Sequence, residues 1–330
     1  MIIQLRTIFI GIVVVAGLLL SLVPPVKQVS AEPLRVGVVP TPSFALIYLA
    51  DSQGFFKKHG VDVVKTTYES GPAEVNDLAA GKIDIAIVSE FVFVLEAFAQ
   101  PSLRIPAGIW AGSNVDLIVR TERGIKTPQD LKGRRVAVTR GSGGEFFFYQ
   151  YLIFNRIPSG SVKVVYLVPS EMVKAMAGGT VDAALCWPPF TTEMAKILGA
   201  KAARWPAQSG QDYYLVLLAQ EAFLKKRTRT VEQFLAALLD AEEFIAKYPD
   251  RAQTILRNLL NADAESFPET LSRARFQLQL SQDMLVLMER EAKWAMRNNL
   301  VEKNKMPNYL NFFSFNALDK VKSEAVSIVH

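Results

Sequence analysis

Between Arg135 and Leu152 the chain reads RVAVTRGSGGEFFFYQYL. The turn Gly141-Ser142-Gly143-Gly144 separates a short apolar, β-branched run from a segment fit for a helix starting at Glu145. A strand, a glycine-rich turn and a helix start leave backbone N–H groups free to receive an anion or a polar ligand. The turn lacks the lysine of the nucleotide-binding phosphate loop and does not complete G-x-G-x-x-G. Other reactive side chains are sparse. A single cysteine, Cys186, excludes an internal disulfide and a cysteine-built metal site. Two distant histidines, His59 and His330, argue against a zinc site or a histidine relay.

The elements that must position this turn occur twice. RVGVVPTPSF (35–44) parallels RVAVTRGSGG (135–144), VDVVKTTY (61–68) parallels VKVVYLVP (162–169), and AGKIDIAIVSEF (80–91) parallels GGTVDAALCWPPF (178–190). In the third pair Gly81 matches Gly179, Asp84 matches Asp182 and Ala86 matches Ala184. Each match has a physical reading. The glycine closes a helix in the left-handed conformation, the aspartate opens a buried strand, and the alanine lets a helix pack closely on the sheet. The chain therefore holds two β-α-β-α-β units, roughly 34–110 and 120–210, and the alternation predicts doubly wound parallel α/β sheets.

In such sheets ligands bind beyond the carboxyl ends of the strands. That rule selects Ser43, Phe44, Ser89 and Glu90 in the first unit, and Ser142, Gly143, Gly144 and Trp187 in the second. Glu90 has two readings: a carboxylate that accepts hydrogen bonds from a ligand, or a helix-start carboxylate stabilised by the helix dipole. Met284, Met288 and Trp294 read as core. Asn114–Arg120 and Tyr213–Ala219 are strand-like runs that can carry the chain from one unit to the other and back. Thr127 and Pro128 mark a helix start. From Thr230 the pattern becomes amphipathic helices, with a capping box at Thr230 and Gln233 and further helices over about 250–261, 268–280 and 281–298. These are expected to pack mostly on the first unit.

With 330 residues, 50% of them hydrophobic and 21% charged, the chain is long enough for two cored domains. Its net charge of +5 is scattered. The one basic run, Lys225-Lys226-Arg227 with Arg229, reads as a solvated loop, so nucleic acid is not an expected partner. Residues 1–31 carry Arg6, an apolar run from Ile8 to Val23 and the small-residue end Val29-Ser30-Ala31. This is the layout of a secretory signal peptide cleaved after Ala31, with an uncleaved anchor as the alternative. Either way the body of the chain works outside the cytoplasm.

The export segment, LRVGVVPTPSFALIYLADSQGFFKKHGVDV, AAGKIDIAIVSEF, IKTPQDLKGRRVAVTRGSGG and AGGTVDAALCWPPF together resemble the SsuA/THI5-like (NMT1-like) solute-binding proteins. These are receptors of ABC importers for nitrate, sulfonates, taurine and pyrimidine-type compounds. The resemblance implies a type II periplasmic binding protein fold, two doubly wound α/β lobes with a central cleft plus C-terminal helices. It places lobe 1 over 34–118 plus 217–330 and lobe 2 over 119–216. It also implies a non-enzymatic receptor without cofactor, expected to be a monomer, that hands a small polar ligand to a membrane permease. By the same analogy Asn114 and Asp212, near the crossings, join the ligand-binding candidates. Pro188 follows Trp187 where the family often has an acidic or polar residue. Donors in the second lobe facing Glu90 in the first would suit a zwitterionic or heterocyclic ligand. Two other functions compete with the receptor: a ligand sensor feeding a membrane signalling protein, and a pyrimidine-synthase-like enzyme. The second lacks its histidine and cysteine motifs here.

Overall fold

The computed structural model describes residues 32–262, 267–302 and 305–329. The export segment expected over 1–31 lies outside them. The first unit runs β1 (Leu34–Val38), a 3-10 turn over Pro42–Phe44, α1 (Ala45–Ser52), α2 (Phe55–Lys58), β2 (Val63–Thr67), α3 (Gly71–Ala79), β3 (Ala86–Ser89) and α4 (Glu90–Glu96). Strands β4 (Leu103–Arg104), β5 (Gly108–Gly112) and β6 (Asp116–Arg120) lead to the second unit. That unit runs β7 (Arg135–Val138), α5 (Gly143–Phe154), β8 (Lys163–Tyr166), α6 (Pro169–Gly178), β9 (Ala183–Cys186), α7 (Phe190–Leu198) and β10 (Ala202–Pro206). After β11 (Tyr213–Gln220) come α8 (Glu221–Lys226), α9 (Thr228–Lys247), α10 (Pro249–Leu259), α11 (Phe267–Ser272), β12 (Ala274–Arg275), α12 (Gln282–Arg297) and α13 (Phe315–Val321).

The internal repeat is present in atomic detail. Gly81 and Gly179 both adopt left-handed backbones, φ +68° and +69°, at the ends of α3 and α6. Asp84 Oδ2 accepts the Arg35 backbone N–H at 2.9 Å, and Asp182 Oδ2 accepts that of Arg135 at 2.8 Å. Each carboxylate satisfies an N–H at the start of a strand, before the neighbouring strand begins to pair. The Arg35 guanidinium then forks onto Asp84, with its closest contact at 2.6 Å. Ala86 and Ala184 are fully buried.

The sheets are mixed rather than parallel. Strands β1 and β2 pair in parallel, and a parallel bridge from Val36 to Ile85 joins them to the start of the third. One sheet has the order β12-β5-β11-β3 and the other β10-β6-β9-β7-β8. Only β7 with β8 and β7 with β9 are parallel there, while β6 and β11 run against all their neighbours. The two antiparallel strands are the ones that carry the chain between sheets. They are reached through short connections, 113–115 and 207–212, without the crossover helix that a parallel pair requires.

The C-terminal part departs from expectation in two places. Helix α9 starts at Thr228, two residues before Thr230, so the Thr230–Gln233 box does not form; Thr228 Oγ1 instead donates back to the Leu224 carbonyl at 2.9 Å. The helix expected over 268–280 stops at Ser272, because the next residues extend along β5 as an edge strand, and Gln279 bridges to Gly108. Ser281 caps α12, accepting from Met284 N. Met284, Met288 and Trp294 are buried, and Trp294 packs its ring on Phe91 and Phe146 at 5.7 and 5.3 Å between centroids. Near the end of the described residues Tyr309 and Phe312 stack edge-on against Phe93 on α4.

Candidate functional site

The carboxyl ends of β1, β3, β7 and β9 converge on a narrow cavity, in which the centre of a water molecule has about 60 Å³ of room. Of the sequence-derived candidates, Ser43, Phe44, Ser89, Ser142, Gly143, Gly144 and Trp187 line it. Thr41, Ser70, Gly71 and Tyr213 complete its polar side. Val39, Ile87, Val88, Val92, Val115, Phe147 and Leu215 form apolar walls around them. Among the described residues, no Lys, Arg, His, Asp or Glu stands in the lining.

Three serines at this cavity occupy helix N-cap positions: Ser70 before α3, Ser89 before α4 and Ser142 before α5. Serine is favoured there because its oxygen can take an N–H of the first turn. None of the three does so. Ser142 Oγ donates to the Thr139 carbonyl at 2.7 Å, and Ser89 Oγ is buried with no partner. Gly143 and Gly144, as the first two residues of α5, have no intrahelical acceptor for their N–H groups. The glycines also permit close approach. A Cβ on Gly143 would lie 3.1 Å from Ser89 Oγ, and one on Gly144 would lie 3.4 Å from the Trp187 ring.

Asn114 does not line the cavity but holds two residues that do. Its Nδ2 donates to Ser43 Oγ at 2.8 Å, and its Oδ1 accepts from Tyr213 Oη at 2.9 Å. All three are buried. Burial, with the Glu90 charge adding to it, pushes the Tyr213 phenol well above its ordinary pKa, so it remains a neutral donor.

Glu90 and Asp212 lie elsewhere. The Glu90 carboxyl is turned away from the cavity, 1% exposed, and accepts the Tyr214 N–H at 3.0 Å together with its own N–H and that of Phe91. The helix-start reading describes its position. Burial pushes its pKa up to about 8. Asp212 pairs with Arg275 at 2.8 Å beside a separate surface groove near Asp283 and Arg290. Glu145 accepts from Gly141 N and Tyr166 Oη, at 2.7 and 2.8 Å. Among residues the sequence reading did not select, Ser70 carried a legible signal, since Ser-Gly-Pro after an apolar strand is a helix start. Thr41 and Tyr213 carried none of their own.

Among the described residues no three His, Cys, Asp or Glu side chains gather into a metal-binding group. The Cys186 thiol is fully buried, and burial pushes its pKa to about 12, which leaves it without thiolate reactivity. His59 is tied to Asp240 at 2.8 Å.

Mixed α/β sheets joined by crossing strands, with helix N-termini gathered on one cavity, define the periplasmic binding protein fold. Residues 41–252 match the family NMT1/THI5 like, and the chain belongs to it. The taurine-binding periplasmic protein of Escherichia coli K12 is 26% identical over 229 residues, 68% of this chain and 66% of that protein. Among solved structures, the alkanesulfonate-binding protein SsuA from Xanthomonas axonopodis pv. citri, bound to MOPS, superposes with a TM-score of 0.74 at 18% identity. The match covers 87% of this chain and 99% of that one. The periplasmic aliphatic sulphonate binding protein SsuA from Escherichia coli gives 0.71 at 20% identity, over 86% and 97%. All three are binding proteins by name.

Proposed function

We propose that the chain is the extracytoplasmic binding component of an ABC importer, and that its cavity takes a small organic anion of the sulfonate class. The observation that carries this is the convergence of helices α3 and α5 on the cavity, their serine caps disengaged and the first N–H groups of α5 open. Helix N-termini favour anions through their free N–H groups and the positive end of the dipole. Hydroxyls of Thr41 and Ser43 add neutral donors, while Phe44, Phe147 and Trp187 suit an alkyl or ring portion. With Glu90 turned away, no carboxylate among the described residues stands ready for a ligand ammonium, so the organic anion replaces the zwitterion as the favoured ligand.

The two sheets mark two lobes; β6 belongs wholly to the second and β11 wholly to the first, so the boundaries fall at 113–115 and 207–212 rather than at 118 and 216, and the lobes close on the ligand about these connections. The taurine- and sulfonate-binding relatives support the same ligand class and delivery to a permease. The mature chain is expected to begin at Glu32, and the intact mass of the exported protein checks that.

The direct test is a thermal-shift screen of residues 32–330 with ethanesulfonate, taurine, nitrate and an aminopyrimidine. A ligand that binds only the native state adds about 2.7 kcal/mol at a hundredfold excess over Kd. A shift with the sulfonates is the expected outcome. A shift with the aminopyrimidine alone would overturn the anion assignment.

A further inference from the structure

Two buried carboxyl groups stand behind the cavity on α4 and α12, helices that pack together through Phe91 and Trp294, and neither is in an ion pair among the described residues. Glu90 opens α4, and its Oε1 has no hydrogen-bond partner. Glu291, on α12 packed against α4, is completely buried, and neither of its carboxyl oxygens has a partner. The groups that face the pair are few. Tyr213 and Tyr214 of β11 face Glu90, and Tyr309 and the exposed Arg290 face Glu291. From helix α5 the Phe146 ring stacks on Phe91, and Phe146 and Tyr149 pack on Trp294 of α12.

This pair borders the cavity through the backbone. Ser89, immediately before Glu90, puts its unpartnered hydroxyl at the cavity. The N–H that Glu90 holds belongs to Tyr214, whose neighbours Tyr213 and Leu215 are both in the lining. A charge on Glu90 would sit at the N-terminus of α4, one residue behind the place where the ligand anion is expected.

We propose that Glu90, backed by Glu291, sets the charge the cavity accepts: an anion binds while the pair is uncharged, and its binding holds a proton on the pair. This deepens the sulfonate reading and rests on it. Two like charges in one low-dielectric site oppose each other, so ionising Glu90 and binding an anion are mutually unfavourable. Burial raises the pKa of both carboxyls, and the Glu90 charge raises that of Glu291 further. The pair is therefore neutral in acidic and neutral solution and gains charge in mildly alkaline solution. By linkage, affinity for an anion falls as pH rises through that range, and by reciprocity anion binding takes up a proton.

The test is calorimetry of the whole chain with ethanesulfonate, whose charge does not change with pH, at about pH 6, 7, 8 and 9. We expect Kd to rise about tenfold between pH 7 and 9, and the heat near pH 8 to depend on buffer ionisation enthalpy with the sign of proton uptake. That second readout needs only the wild-type chain. In Glu90→Gln the affinity should stay flat across the range. Equal affinity from pH 6 to 9 without proton uptake would overturn this inference and leave the sulfonate reading standing, as would an unchanged slope in Glu90→Gln. Absence of binding at every pH, including 6, would overturn the sulfonate reading and this inference together.

Discussion

Gly143→Ala adds one methyl group where α5 meets Ser89. The new Cβ would lie 3.1 Å from Ser89 Oγ and 3.4 Å from Ser89 Cβ, against ordinary contacts beyond 3.4 Å. Gly143 is not among the positive-φ residues, so alanine fits its backbone, and in the first turn of α5 it gains up to about 1 kcal/mol of helix propensity. The cost falls on the approach of the two units. Overpacking costs about 1–3 kcal/mol, and because a serine hydroxyl can rotate, the low end applies, which weakens binding about fivefold. Calorimetry with ethanesulfonate should show that loss, while thermal unfolding without ligand shows no drop in Tm. In a Ser89→Ala background the Oγ is gone, and the effect of Gly143→Ala should shrink. Wild-type affinity in Gly143→Ala, or an equal loss in both backgrounds, would refute the argument.

Trp187→Ala removes an aromatic wall and should weaken sulfonate binding about tenfold or more while leaving the urea midpoint nearly unchanged; unchanged affinity would remove Trp187 from the site. Asp116, fully buried, holds Arg204 at 2.5 Å and Arg273 at 3.2 Å. Asp116→Ala should therefore cost about 3 kcal/mol in urea unfolding, and a loss below about 0.5 kcal/mol would contradict the pairing. The Glu90 carboxyl, raised from 4.5 to about 8 in the folded chain, holds a proton that the unfolded chain releases. Its contribution to stability is present below about pH 4.5 and is lost as pH climbs to about 8, by up to about 1.4 kcal/mol per pH unit. Glu90→Gln should thus become more stable relative to wild type at pH 8 than at pH 5; a constant difference in urea unfolding would sink this reading.

Local chemistry was legible in the sequence wherever a residue acts on its own turn. Gly81 and Gly179 end helices, and Thr127 with Pro128 opens a 3-10 turn. The strand-end rule found seven of the eighteen residues that line the cavity. Glu90 was ambiguous because its direction is decided by Tyr214, 124 residues away, whose N–H it satisfies. The mixed sheets escaped because strand direction depends on how the chain crosses between units, which periodicity does not encode. The short α11 followed by an edge strand escaped because pairing with β5 overrides the local pattern. Tyr213 enters the cavity only through β11, which is central to a sheet whose other strands lie far off in sequence.

The position of β11 also imposes an order on assembly. The second sheet is built from one continuous stretch, β6 to β10, and all its strands exist once Pro206 has been made. The first sheet cannot join β3 to β5 until Tyr213–Gln220 arrives between them, and its edge β12 and the tail bridge from Ile105 to Phe313 come later still. Such distant pairings are slow to form. A chain cut at Asp212 would keep two unpaired apolar strand edges open to other chains. The nascent protein therefore lacks Tyr213 and Leu215 of its cavity wall, and the strand that ties β3 to β5, until about two-thirds of the chain has been made.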